Sequence, residues 1–150
     1  MVQFSLLMLA ALNFDQQPTP ALSAVEVVQL QLDALQASPE TPNHAGIRLA
    51  FRFASPSNRA VTGPVNRFIP MVKSEAYAPL LGFDRASLAV IEETSDQAKF
   101  LVELQRGTRL YHYLWEVSRQ ATEPYQGCWM TDAVVPVEAG GPEQADTIEA

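Results

Sequence analysis

With 150 residues, 47% hydrophobic and 18% charged, the chain has the size and composition of one globular domain, and no apolar run reaches the roughly 18 residues that a membrane-crossing helix needs. The net charge of −7 is uneven: Glu138, Glu143, Asp146 and Glu149 supply four of the negative charges over a terminal stretch without Lys or Arg. The ten basic residues form no block or stripe that could neutralise phosphates or anionic lipid, which argues against nucleic acid and an anionic membrane surface as partners, and without a spanning run no stable membrane insertion is expected.

The chain begins with "FSLLMLAAL" (Phe4 to Leu12), as long as a signal-peptide core but with no Lys or Arg before it. It is read as an apolar arm or a weak signal-like segment, followed by the polar, proline-containing linker "NFDQQPTPALS", so that residues 1–22 stand apart from the domain. A single cysteine excludes an internal disulfide and suits a cytoplasmic setting; export is the alternative if the first segment is cleaved.

Ser23 starts the first helix. Glu26 lies three residues on, as a capping box requires, and Val25, Val28, Leu32 and Leu35 recur at helical spacing in "AVEVVQLQLDALQA". "SPETPNH" interrupts with two prolines, after which Ile47, Ala50, Phe51 and Ala54 mark a second apolar stripe, with Arg48 and Arg52 on another face. "SPSN" (Ser55 to Asn58) reads as a cap with Pro at the first helical position, and "TGP" ends that short turn and opens another helix. In "VNRFIPMVKS" the apolar Val65, Phe68 and Val72 face the core; Pro70 cannot donate back to Asn66 and predicts a kinked or shortened helix.

From Ala86 the period becomes two. "ASLAVIEET", "AKFLVELQ", "RLYHYLWEVSRQ" and "CWMTDAVVPV" are separated by turn residues and predict an antiparallel meander. Helices first and strands later is the order of an α+β domain spanning residues 23–137, its N-terminal helices packed on a curved, mostly antiparallel four-stranded sheet. Residues 138–150 form an acidic tail.

Alternation divides the long strands by face: Tyr111, Tyr113, Trp115 and Val117 point one way, and Leu110, His112, Leu114, Glu116 and Ser118 the other. If the last hairpin pairs without a bulge and its paired positions sum to an even number, Trp129, Thr131, Ala133 and Val135 join the aromatic face. Cys128, Met130, Asp132 and Val134 then join the mixed face; one bulge would swap the two sets. The aromatic face is expected against the helices. The mixed face is too apolar for ordinary solvated surface and predicts cover by a second copy in a two-fold dimer.

The motifs "FASPSNRAVTGPVNRFIPMV", "YAPLLG", "WEVSRQ" and "GCWMTDAVV" occur in an order that resembles a domain-of-unknown-function family of bacteria and plants, within the cone-shaped superfamily related to nuclear transport factor 2 and cystatin-like folds. The resemblance covers Val25 to Val137; Pro70 departs from the pattern where the family more usually continues its helix. It implies helices wrapped by a bent sheet, frequent dimers, and a cavity that relatives use for isomerases, dehydratases or ligand binding. It carries over no catalytic residues, and fold alone does not give function.

Cys128 has no base beside it and reads as a small core residue. Asp132, an acid inside an apolar strand, must be solvated, paired or protonated. A register setting His112 opposite it would make an acid/base pair, whereas a slip of two residues would place Leu114 there. Tyr77, Tyr111, Tyr113 and Trp115 are candidates to line a cavity or simply to fill it, and Arg48, Arg52 and Arg67 could reach an anionic ligand or stay solvated. With only His44 and His112 there is no metal spacing, no glycine-rich phosphate loop and no nucleophile elbow, so no metal or cofactor is expected. The reading is a binding module for a protein partner or a small apolar ligand. The alternative is a cofactor-independent isomerase, dehydratase or hydrolase-like enzyme using Asp132 or His112 as base. A cavity of roughly 300 Å³ or more reaching Asp132 would favour the enzyme or the ligand binder, whereas a cone plugged by Trp115 and the tyrosines would favour a scaffold.

Overall fold

In the computed structural model residues 12–138 are described, and the expected N-terminal signal-like segment and acidic tail lie largely outside them. Among the described residues four α-helices precede a four-stranded antiparallel sheet, an α+β arrangement. The helices are α1 (Ala24–Ala37), α2 (Ala45–Arg52), α3 (Pro56–Thr62) and α4 (Val65–Val72). The strands are β1 (Arg85–Glu93), β2 (Gln97–Arg106), β3 (Arg109–Arg119) and β4 (Trp129–Val137), in the spatial order β1-β2-β3-β4 of a meander.

The first helix opens as its sequence dictates. The Ser23 hydroxyl accepts from the Glu26 amide at 3.2 Å and the Glu26 carboxylate accepts from the Ser23 amide at 2.9 Å, satisfying two orphan donors reciprocally. Val28, Leu32 and Leu35 are buried, but Val25 is exposed and Val27 takes its place in the core. Each such burial stabilises by about 1.5–3 kcal/mol.

Helix α2 crosses α1 at Gly46, where an added Cβ would lie 2.1 Å from the Ala34 carbonyl oxygen. Only a residue without a side chain permits that approach. Pro70 shortens rather than breaks α4, which runs through it and ends two residues later; Ile69 and Val72 are buried, while Val65 and Phe68 pack partly buried against the core.

The core lies between the helices and one sheet face. Phe100, Val102 and Leu104 of β2 meet Tyr113, Trp115 and Val117 of β3 there, all buried, with Tyr111 partly buried beside them. The expected aromatic face is therefore the helix-covered one.

The final strand departs from an uninterrupted register. Near its start Val117 pairs with Thr131 and Arg119 with Trp129, the even sum; beyond a shift Glu116 pairs with Ala133, Trp115 with Val134 and His112 with Val137, an odd sum. Asp132 is the extra residue between the two halves. This bulge corrects the assignment of faces: Trp129 and Thr131 join the aromatic face, but after Asp132 so does Val134, while Ala133 and Val135 turn to the mixed face. It also corrects the prospective Asp132–His112 pair, because His112 sits opposite Val137 and its Nε2 lies 2.9 Å from Glu103 Oε2 on β2.

Candidate functional site

The bulge is where the helices reach the sheet edge. Between α2 and α3, residues 53–55 run beside β4: the Thr131 amide donates to the Phe53 carbonyl at 2.8 Å and the Ser55 amide donates to the Thr131 carbonyl at 2.8 Å. Ser55 caps α3, its hydroxyl accepting from the Asn58 amide at 3.3 Å, and Asn58 Nδ2 adds a second bond to the Thr131 carbonyl at 3.0 Å. The short helix is thus pinned at its start to the bulged strand.

Arg59 fixes the other side of α3. Its Nε donates to the Ala54 carbonyl at 3.0 Å and its Nη2 to the Arg52 carbonyl at 2.6 Å, and its guanidinium lies 5.5 Å from the ring centres of both Phe51 and Tyr125. A planar fork can serve two carbonyls and stack between two rings at once; an ammonium cannot.

Below α3 a cavity of about 290 Å³ opens between α1, α3, α4 and β4. Its lining is mostly apolar, with Leu35, Ala50, Phe68, Met71 and Val134 prominent, and it reaches Trp115 and Asp132. Its polar floor is a buried network: Gln31 Oε1 accepts from Trp115 Nε1 at 3.0 Å and from the Thr131 hydroxyl, while Gln31 Nε2 donates to the Ala50 carbonyl at 2.9 Å. Every hydrogen-bonding group of the Gln31 floor therefore has a protein partner, the condition under which a buried polar network is stable.

At the cavity wall the Thr62 hydroxyl lies 3.0 Å from the Asn58 carbonyl and 3.2 Å from Asn58 Oδ1, and the Tyr77 hydroxyl donates to the Val134 carbonyl at 2.9 Å. Tyr113 donates to the Ala76 carbonyl at 2.8 Å. Burial pushes the Tyr113 phenol up to about 12, with smaller contributions from Tyr77 and Tyr111, and raises Tyr77 as well, so both stay protonated donors.

Of the sequence candidates, Trp115, Tyr77 and Asp132 meet in this cavity. Tyr111, Tyr113 and His112 instead border a separate depression of about 400 Å³ with Glu75, Arg109 and Pro136. Arg67 is exposed and its Nη1 donates to the Gly63 carbonyl at 3.1 Å; Arg52 Nη1 donates to the Phe14 and Gln16 carbonyls, and Arg48 Nε to the Asn43 carbonyl. None of the three arginines lines the cavity below α3, and Arg48 borders a separate depression with His44 and Lys73. Cys128 is buried, and desolvation with Glu123 nearby raises its thiol, which suppresses the nucleophilic thiolate.

Gln31 and Asn58 line the cavity and Arg59 fixes α3 beside it, and none of the three is singled out by the sequence reading. Gln31 did carry a signal: it lies three residues after Val28 and four before Leu35, on the buried stripe of α1, where a polar group needs a partner. No protein-family model, curated protein or solved structure matches the chain. Fold and cavity together define an α+β domain with a small, largely apolar chamber between its helical layer and the sheet.

Proposed function

We propose that the chain is a non-catalytic binding module that seats a small, largely apolar molecule in the cavity beneath α3. The observation that carries this reading is the cavity itself: its volume of about 290 Å³ stands at the lower end of small-molecule sites, and Trp115 forms part of its wall without plugging it. An acid/base enzyme would need a donor facing the substrate as well as a base. Tyr77 is engaged with the Val134 carbonyl and His112 lies elsewhere, which favours binding over catalysis.

The test is an amide NMR titration with cyclohexylmethanol. Shifts gathered on Thr131, Val134 and the Trp115 indole, and abolished by Ser57→Trp across the cavity wall, are the expected result. Shifts scattered over the surface, or unchanged by Ser57→Trp, overturn the reading.

The same reading treats the domain as a cone of the kind related to nuclear transport factor 2. Helices preceding a meander support it, as do the register shifts at Ile91 and Asp132, since bulges bend strands. A second copy is the proposed partner for the mixed face. There Ala89, Leu101, Leu114 and Val135 form one cross-strand row, flanked by Glu103 with His112 on one side and Lys99 with Glu116 on the other. A two-fold axis can set such mixed charges against each other around an apolar centre. Sedimentation equilibrium checks this: a dimer converted to monomer by Leu114→Glu is expected, and a monomeric wild type at high concentration overturns it.

A further inference from the structure

We infer that the cavity selects an apolar amine, its ammonium group held by Asp132. This rests on the cavity being a ligand seat and adds what that seat recognises.

Among the described residues lining the cavity, Asp132 is the one charged side chain; no Lys, Arg or His is among them. The arginines next in sequence to lining residues are committed elsewhere, Arg59 beside Asn58 to the Arg52 and Ala54 carbonyls and Arg67 beside Phe68 to the Gly63 carbonyl, and Arg119, the arginine nearest Asp132 along the chain, donates to the Ser95 carbonyl. The Glu103–His112 contact is the one ion pair among the described residues, so the Asp132 carboxylate has no bound counter-charge.

The other polar groups of the lining point the same way. The Gln31 amide, the Thr131 hydroxyl, the Asn58 amide, the Thr62 hydroxyl and the Tyr77 hydroxyl all direct a hydrogen at a protein acceptor. Ser57 shares its hydroxyl with Ser55 Oγ at 3.1 Å, and the Gln31 and Asn58 amides each keep one further N–H, but the charged group that the lining offers a ligand is a carboxylate, which when ionised can only accept. A ligand that brings donors and a positive charge gains a charge-assisted bond. A ligand carboxylate would meet like charge in a mostly apolar chamber lined by no cationic side chain, and the chain's net charge of −7 works in the same direction at longer range.

The bulge gives Asp132 this position. An extra residue in β4 lets Thr131 and Val134 keep their helix-facing pairing with Val117 and Trp115 while the acid is inserted between them, at the strand edge that α3 covers. Bulges commonly re-aim a side chain beside a site.

The experiment is isothermal titration calorimetry of the full chain at neutral pH with three compounds of one ring and similar size: cyclohexylmethylamine, cyclohexylmethanol and cyclohexanecarboxylate. The amine is expected to bind about tenfold more tightly than the alcohol, as a bond to a charged group allows, with no heat from the carboxylate. Asp132→Asn should bring the amine level with the alcohol and leave the alcohol unchanged. An alcohol or carboxylate that binds as well as the amine, or an amine preference that survives Asp132→Asn, overturns the inference while leaving the ligand seat standing. Absence of heat from all three compounds overturns the seat itself and this inference with it.

Discussion

Gln31 on α1 and Trp115 on β3, 84 residues apart in sequence, share a buried hydrogen bond of 3.0 Å from the indole N–H to the amide oxygen. The same oxygen also accepts from the Thr131 hydroxyl of β4, so one helix side chain ties together two neighbouring strands beneath the cavity. Replacing Gln31 by Leu keeps the volume but strands both donors at buried positions. The expected cost is about 2–4 kcal/mol, the penalty of leaving buried donors unpaired. Urea unfolding checks it: a lower midpoint with an unchanged slope is the expected outcome.

Arg59 makes a different kind of tie, between the end of α2, the body of α3 and Tyr125 in the loop before β4. Lysine retains the charge yet cannot serve the Ala54 and Arg52 carbonyls while stacking between two rings. Arg59→Lys is therefore expected to cost about 1–3 kcal/mol, close to the cost of Arg59→Ala. Hydrogen exchange of the α3 amides should accelerate in both variants, and protection equal to wild type in the lysine variant would contradict the role assigned to the fork.

Asp33 sets a pH dependence. It is buried on α1, and desolvation raises its carboxyl to about 6 despite a bond of 3.1 Å from Gln29 Nε2. In the unfolded chain the same group titrates near 3.8. Between those values the folded state holds a proton that the unfolded state has lost, so stability falls as pH rises from about 4 to about 6 and is level above. Asp33→Asn keeps the oxygen facing Gln29 and removes the titration. It should match the wild type near pH 4 and exceed it by about 2 kcal/mol at pH 7, as read by denaturant midpoints across that range.

The crossing of α1 and α2 gives a steric prediction. Gly46→Ala would push a methyl to within 2.1 Å of the Ala34 carbonyl oxygen and 2.8 Å of Ser38 Cα, both backbone atoms that yield only if the helices separate. A loss of about 3 kcal/mol is expected, the upper part of the range for overpacking. Gly107, in the turn between β2 and β3, is the control. An added Cβ there meets nothing within 4 Å, and only the strain of its φ of 62° remains, about 1–2 kcal/mol. Thermal melts of the two variants should differ accordingly.

How much was legible in the sequence follows from which residues carried local signals. Ser23 with Glu26, Ser55 with Pro56 and the two-residue alternation from Ala86 act through neighbouring backbone atoms, and the elements they mark are those observed. Val25 was misplaced because a helical stripe is wider than its strict three-and-four spacing, and Val27 lies within the same stripe. The bulge was not legible, since nothing in "WMTDAVV" distinguishes an inserted residue from a regular one. It depends on residues 53–55 docking on Thr131 from far along the chain. The His112 partner was missed for the same reason: alternation gives its face, but only the register of β2 brings Glu103 opposite.

Deletion of Asp132 tests that account of the bulge. Glu116 pairs with Ala133 and Val117 with Thr131, so removing the one residue between them leaves every other cross-strand pair in place and makes β4 alternate without interruption. Thr131 and Val134 keep the helix-facing side, and Val135 the outer one. The deletion variant is therefore expected to fold with the same ladder, seen as unchanged Trp115–Val134 and Val117–Thr131 cross-strand proton contacts by NMR. A slipped register, with Ala133 brought opposite Trp115, would mean that the acid is needed to set the pairing, and that its place at the cavity is a by-product of the strand rather than a feature of the site.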